Sequence, residues 1–279
     1  MKKITAILLA MLMLLGCLAG CSSTNNAAGN TNANGAPAAD SAKTIVVGYT
    51  IYAPMNYFED GSDKLVGFDT ELAEAVFANL GYTVIFQKID WNQKYTDLDS
   101  GAIDCVWNGF TCNTADDDGI LRSEKVDFSY NYMENRQVIV VKNDSSIAAA
   151  ADLSGKMGVA EGGSAGETYA QTFEGASIKG CLYQTDCLME VNAGSADFAV
   201  LDAQLAKSYC GKGDYAGLKI VEDLSSDVEY YAIGFKKGSA LTAQVNAQLE
   251  ALAADGTIKA LAEKYNVANT AITDFSDQK

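Results

Sequence analysis

Apolar and polar residues along this chain fall into short blocks, and block length separates strands from helices. The run TIVVGY at 44–49 is β-branched and bounded by polar residues, which predicts a buried strand. YTVIFQKI, CVWNGF, VIVVK, KMGVA, DFAVLD and EYYAIGFKK predict further strands in that order. Helical spacing appears between them. In GFDTELAEAVFANLG, Leu72, Val76 and Leu80 share a face, with Asp69 as the expected N-cap and Gly81 as the stop. WNQKYTDLDSGAID predicts a helix ending at Gly101; AGETYAQTF and residues 203–209 predict two more. TAQVNAQLEALAADGTIKALAEKY predicts a helix pair broken at Gly256, with Val245, Leu249 and Leu252 on one side. EDGSDK reads as a hairpin-like turn, and 50–56 as a loop carrying Tyr52, Met55 and Pro54. Strand and helix alternate, pause after Tyr132 and resume, so the fold class is α/β in two successive units, with parallel-type sheets.

Two stretches fall outside this alternation. Residues 1–20, MKKITAILLAMLMLLGCLAG, place two lysines before an apolar run and small residues before Cys21, the three-part pattern of an export signal. The apolar run is at the short limit for a membrane span and lacks a positive flank after it. Leu18, Ala19, Gly20 and Cys21 resemble a bacterial lipobox, which implies cleavage before Cys21 and lipidation there, palmitate included, so that the chain is held at a membrane. The rest of 21–43 is rich in Ser, Asn, Ala and Gly and has no apolar face; it reads as a flexible tether of roughly 25 Å.

Composition narrows the function. Across 279 residues, 48% are hydrophobic, ample for packed cores, while 36 acidic residues stand against 20 basic ones. That balance argues against nucleic acid as a partner. The chain has no histidine, which removes the commonest general base and zinc ligand together. Beyond Cys17 and Cys21 there remain Cys105, Cys112, Cys181, Cys187 and Cys210, an odd set that allows a disulfide and leaves a thiol over. No cysteine pair has zinc-finger spacing, so neither a metal site nor a cofactor is expected.

GFDTELAEAV, DWNQKYTDLDSGAIDCVWNGFT, KVDFSYNYMENRQVIVV, ADLSGKMGVAEGGSAGETY and the C-terminal helix pair together resemble the family 3 extracellular solute-binding proteins of amino-acid ABC transporters. The resemblance implies a two-lobed type II periplasmic-binding-protein fold, a hinged flytrap with a mixed sheet in each lobe. Lobe 1 is then 44–135 plus 233–279 and lobe 2 is 136–232, with crossovers near Asn135 to Val138 and Asp227 to Ala232 acting as hinges. The expected function is capture of a free, polar amino acid outside the cytoplasm by a monomer that hands it to an ABC transporter permease. A cyclohexadienyl-dehydratase-like enzyme, with Asp202 or Glu229 as its cleft acid, and a sensory lipoprotein are the alternatives; no paired carboxylates or nucleophile–base arrangement stands out for the first.

A free amino acid presents a carboxylate and an ammonium, so its site needs a fixed cation with amide donors and, separately, an anion. The resemblance puts carboxylate binding on Gly109, Thr111 and Arg122. The chain has only two arginines, and Arg136, beside VIVV, reads as hinge structure. The segment before Arg122 is about twice the family's length and carries Asp116, Asp117 and Asp118, so a surface arginine neutralised by these aspartates is the alternative. In lobe 2, Gly162, Gly163 and Ser164 form a strand-to-helix turn whose N–H groups suit an anion. The resemblance puts the ligand ammonium on Asp202, with helix N-capping a compatible second role. Tyr52, Met55, Trp107 and Tyr230 are candidates for side-chain selection, whereas Trp91 reads as core.

Overall fold

Residues 43–278 are described in a computed structural model; the export signal, Cys21 and the tether lie outside the described residues. The chain enters as β1 (Lys43–Tyr49), which buries Ile45 and Val47. β2 (Tyr57–Phe58) and β3 (Leu65–Val66) pair as an antiparallel hairpin around the EDGSDK turn. α1 (Phe68–Asn79) turns Phe68, Leu72, Val76 and Phe77 inward, as its spacing predicts. Its N-cap is Gly67, not Asp69. A Cβ at Gly67 would lie 2.0 Å from the Met55 carbonyl oxygen, so the chain can start the helix there only with glycine. Asp69 instead turns a fully buried carboxylate inward, accepting from the Gly109 N–H at 3.0 Å and the Tyr132 hydroxyl at 2.9 Å.

β4 (Tyr82–Lys88) runs parallel to β1. Asp90 accepts from the Asn92 N–H and starts a tight turn that becomes α2 (Lys94–Ser100), ended by left-handed Gly101 as expected. β5 (Cys105–Val106) is shorter than the CVWNGF run because the chain leaves the sheet before Gly109, at φ 60°. α3 (Arg122–Lys125) and β6 (Asp127–Phe128) follow. β7 (Met133–Asn135) then leads to β8 (Gln137–Lys142), β9 (Met157–Glu161), α4 (Ala165–Ala170), β10 (Ser177–Cys181), α5 (Gln184–Ala193), β11 (Phe198–Asp202) and α6 (Ala203–Tyr209). The chain returns through β12 (Leu218–Ser225), β13 (Glu229–Tyr231) and β14 (Gly234–Phe235), and α7 (Leu241–Ala254) and α8 (Thr257–Lys264) complete the order. The apolar pattern does not announce β10, α5 or β12: β10 is largely exposed, and β12 has only two buried positions.

Two five-stranded sheets result, in the orders β4-β1-β5-β14-β6 and β10-β9-β11-β8-β12. Both are mixed, as the family resemblance implies and unlike the parallel sheets that simple alternation predicts, because β14 runs antiparallel to β5 and β6, and β8 antiparallel to β11 and β12. The EYYAIGFKK run is two strands with different jobs. β13 pairs antiparallel with β7 in a ribbon through which the chain leaves the first sheet and returns to it, while β14 inserts into that sheet. Arg136 sits beside the ribbon and donates to the Ser226 carbonyl at 2.7 Å. α7 buries Val245, Leu249 and Leu252 and packs on α1, and the break at Gly256 has φ 86°.

Candidate functional site

One wall of the candidate site is built where β5 ends. A Cβ on Gly109 would lie 2.7 Å from the Tyr52 ring and 3.0 Å from that of Tyr231, so glycine is required for space as well as for its positive φ. Asn108 donates to the Thr50 carbonyl and to Asn56 Oδ1, at 2.9 and 2.7 Å, and accepts from the Thr50 hydroxyl at 2.7 Å. These bonds pin the 50–56 loop to the strand end.

Arg122 is buried, with 1% of its surface exposed. Its Nε donates to Asp116 Oδ1 at 2.8 Å, and its terminal nitrogens reach the carbonyls of Thr111 at 3.2 Å and Gly163 at 3.3 Å. The guanidinium lies 5.5 Å from the Phe110 ring centroid. Asp116 also accepts from Lys125 at 2.8 Å and from the Tyr95 hydroxyl at 2.6 Å. Burial pushes Asp116 upward, but Arg122, Lys125 and Tyr95 together bring its carboxyl below the ordinary value. The acidic insertion therefore folds back to orient the arginine inward. Its surface alternative fails because the guanidinium is clamped from behind at Nε. Lys94 is a second buried cation, with Nζ donating to the carbonyls of Gly163 at 3.0 Å and Trp91 at 3.3 Å. Burial, then the neighbouring Arg122, pull its ammonium down to about 7.

The facing wall comes from the second sheet. Ser164 caps α4, its Oγ accepting from the Glu167 N–H at 3.0 Å. The turn before it does not offer free N–H groups to an anion, contrary to expectation. Gly162 N–H donates to the Cys181 carbonyl at 2.9 Å, Gly163 N–H to the Glu167 carboxylate at 2.7 Å, and Ser164 N–H to the Glu161 carbonyl at 3.2 Å. The turn satisfies its own donors and presents instead the Gly163 carbonyl, which meets both Arg122 and Lys94. Together with the bond from the Thr168 hydroxyl to Asp117 at 3.0 Å, this brings the two walls into contact.

Asp202 ends β11 and is 6% exposed. Its Oδ1 accepts from the side-chain amides of Asn135 at 2.7 Å and Gln137 at 2.6 Å, and its Oδ2 accepts from that of Gln184. It stands at the N-cap of α6 without a side-chain capping bond, because those amides occupy it. The Asn135 and Gln137 amides donate also to Glu229 Oε1, at 2.6 and 2.7 Å, so two buried acids share them. Burial, then the Asp202 charge, raise Glu229 to about 7. Glu161, at the end of β9, is 2% exposed, and its Oε1 has no hydrogen-bond partner. Burial, followed by the Asp202 charge, pushes its carboxyl far above the ordinary range.

Between the walls lies a narrow cavity. Five of the residues singled out in the sequence line it: Gly109, Thr111 and Arg122 from one side, Ser164 and Asp202 from the other. The other five stand outside its lining. Gly162 flanks it in the turn, and Tyr52 lies behind Gly109 with its hydroxyl 2.6 Å from that of Tyr231. Met55 and Trp107 are fully buried in the core of the first sheet, where the Trp107 ring centroid is 6.0 Å from that of Phe77. Tyr230 is placed on the wrong face by the two-residue alternation of β13, so its neighbour Tyr231 is the one turned inward. Trp91 packs against Phe110 as a core residue and lines the cavity as well. Sequence reasoning missed Asn108, Glu161, Ala165 and Gln184. Glu161 carried a signal, an acid directly after the apolar KMGVA strand; Gln184 carried none, since its helix is not announced.

The five cysteines among the described residues are free, with Cys105 buried in its strand and the Cys187 thiol donating to the Tyr183 carbonyl at 3.6 Å. No group of three or more His, Cys, Asp or Glu among the described residues is placed to hold a metal ion. The cavity thus sets a fixed guanidinium against buried carboxylates, an arrangement complementary to a zwitterion.

Comparison with known proteins agrees with that chemistry. The arginine-binding extracellular protein ArtP of Bacillus subtilis is 30% identical over 227 residues, covering 80% of this chain and 86% of its own length. The L-cystine-binding protein TcyA of the same organism is 28% identical over 271 residues, covering 95% and 97%. Among solved structures, an ancestral arginine-binding protein bound to arginine aligns with a TM-score of 0.72 at 33% identity, covering 80% of this chain and 97% of the other. The fold is that of the two-lobed type II periplasmic binding proteins. Residues 45–268 match the family model, and the chain belongs to the bacterial extracellular solute-binding proteins, family 3.

Proposed function

We propose that this chain captures a free amino acid outside the cytoplasm and delivers it to an ABC transporter permease. The observation that carries this reading is the opposition of Arg122 and Asp202 across one cavity. Arg122 is poised for the ligand carboxylate, with Thr111 beside it, and Asp202 for the ammonium. The relatives named above, which bind arginine and cystine by name, support the same ligand class. A ligand touching both walls favours the closed arrangement over an open one. The β7–β13 ribbon and the adjacent crossover are the hinge, dividing lobe 1 (44–135 and 233–279) from lobe 2 (136–232). Cys21 carries the lipid anchor, and the 21–43 tether keeps the folded monomer near the transporter.

Binding rather than catalysis is the reading that the relatives named above support, since both are binding proteins by name. Calorimetry of the soluble chain, starting at residue 22, against the twenty amino acids tests the function. One or a few should bind near micromolar, about −8 kcal/mol. Indifference to all twenty would sink the reading.

A further inference from the structure

We infer that Glu161 selects the side chain of the ligand, and that the ligand is an amino acid whose side chain carries a positive charge. The inference rests on the cavity being an amino-acid site. Glu161 lines that cavity, is 2% exposed, and has an Oε1 that is buried and bonded to nothing. A buried acceptor without a donor is costly, and for a carboxylate the cost is greater still.

The other acids around the cleft are provided for. Asp116 has Arg122, Lys125 and the Tyr95 hydroxyl; Asp202 has three side-chain amides; Glu229 has two. Lys94 is the cation nearest in kind, but its ammonium is directed to the carbonyls of Trp91 and Gly163. The loop on the opposite wall supplies no donor either, since the Thr50 hydroxyl is given to Asn108. No protein donor reaches Glu161 Oε1 in this structure; the Trp91 Nε1–H lines the same cavity and is also unpartnered, so the place is open to a donor on the ligand.

Charge decides what kind of donor it is. Glu161 ends β9 and Asp202 ends β11, its neighbour in the sheet, so the second wall brings two acids to the cavity against the single ammonium of an amino-acid backbone. Burial and the Asp202 charge hold Glu161 toward its neutral form; a guanidinium or side-chain ammonium beside it favours ionisation and an ion pair, which a neutral amide does not supply.

Arginine and citrulline, which share a shape and differ in charge, supply the test. The soluble chain is titrated calorimetrically with L-arginine, L-lysine, L-citrulline and L-glutamine, alongside Glu161→Gln. Arginine or lysine should bind at least ~30-fold more tightly than citrulline, as expected when one partner of a buried charge pair is lost. Glu161→Gln should abolish that preference, weakening the cationic ligand by a similar factor while leaving citrulline within ~3-fold, with thermal melting confirming that the variant is folded. If the parent binds citrulline or glutamine as tightly as arginine and lysine, or if Glu161→Gln leaves the cationic ligand unaffected, the inference is overturned and the amino-acid site stands. If none of the twenty amino acids binds, the reading beneath it fails first.

Discussion

Asp116 offers the sharpest perturbation, because it lies in the acidic insertion and yet clamps the binding arginine. Replacing it with alanine leaves the Arg122 Nε and the Tyr95 hydroxyl without their carboxylate. Removing one partner of a buried ion pair costs about 3–5 kcal/mol. Here Arg122 is 1% exposed and Asp116 11%, but Arg122 keeps two carbonyl acceptors and Lys125 keeps Asp118, so the lower end, about 3 kcal/mol, applies. For a domain of this size that is a fall in Tm of about 6–12 °C. Amino-acid binding should weaken along with it, since the guanidinium is no longer held at the cavity. Asp116→Asn separates charge from shape: it keeps an acceptor near Nε and should lose less. Because Arg122 and its neighbours depress the Asp116 carboxyl in the folded state, its contribution is present above the ordinary aspartate range and disappears as pH falls through the folded value. Parent and Asp116→Asn should therefore converge in stability in strong acid. Thermal melting across pH, with calorimetry near neutrality, reads all three effects. An Asp116→Ala protein that melts within about 2 °C of the parent and binds equally well would refute the clamp.

Three further outcomes are expected. Arg122→Ala should weaken the best amino-acid ligand by about 2–5 kcal/mol in calorimetry, and an unchanged Kd would place the carboxylate elsewhere. Gly109→Ala forces a side chain to φ 60° against Tyr52 and Tyr231, and should lower stability by about 1–3 kcal/mol; an unshifted urea midpoint would show that the turn relaxes freely. Burial lifts Asp69 from 3.8 to about 7, so between those values the folded state binds more protons than the unfolded one, and its contribution to stability falls as pH rises. That contribution is on the order of 4 kcal/mol; urea unfolding should be harder at pH 5 than at pH 8, and Asp69→Asn should flatten the difference. An equal pH dependence in parent and variant would count against a buried, charge-averse Asp69.

What could be read along the chain was what is local. β1, β4, β8, β9, β11 and the helices on either side of Gly256 follow from apolar runs and spacing, since a buried strand or an amphipathic face writes its burial into neighbouring residues. Asp202 was found through the motif resemblance; its place at the end of an apolar strand did not single it out, since Glu161 stands in the same kind of position and was missed. Gly109 and Arg122 were found through a motif resemblance, and the structure supplies the reasons for both, two tyrosine rings against one and a carboxylate behind the other.

The rest depended on contacts between residues far apart in sequence. The direction of β14 could not be read from its own residues, because it is set by where the chain re-enters a sheet already built. That Asp69 leaves the helix cap for the core, and that Tyr231 rather than Tyr230 faces inward, are matters of register across strands and turns. Gln184 meets Asp202, and Asp116 meets Arg122, only once the chain has folded. The sequence alone thus determined the strands, the helices and the stock of charges available for a zwitterion. Tertiary structure alone decided which charges are buried together and which one, Glu161, is left without a partner, because hydrogen bonding and desolvation depend on neighbours in space rather than along the chain.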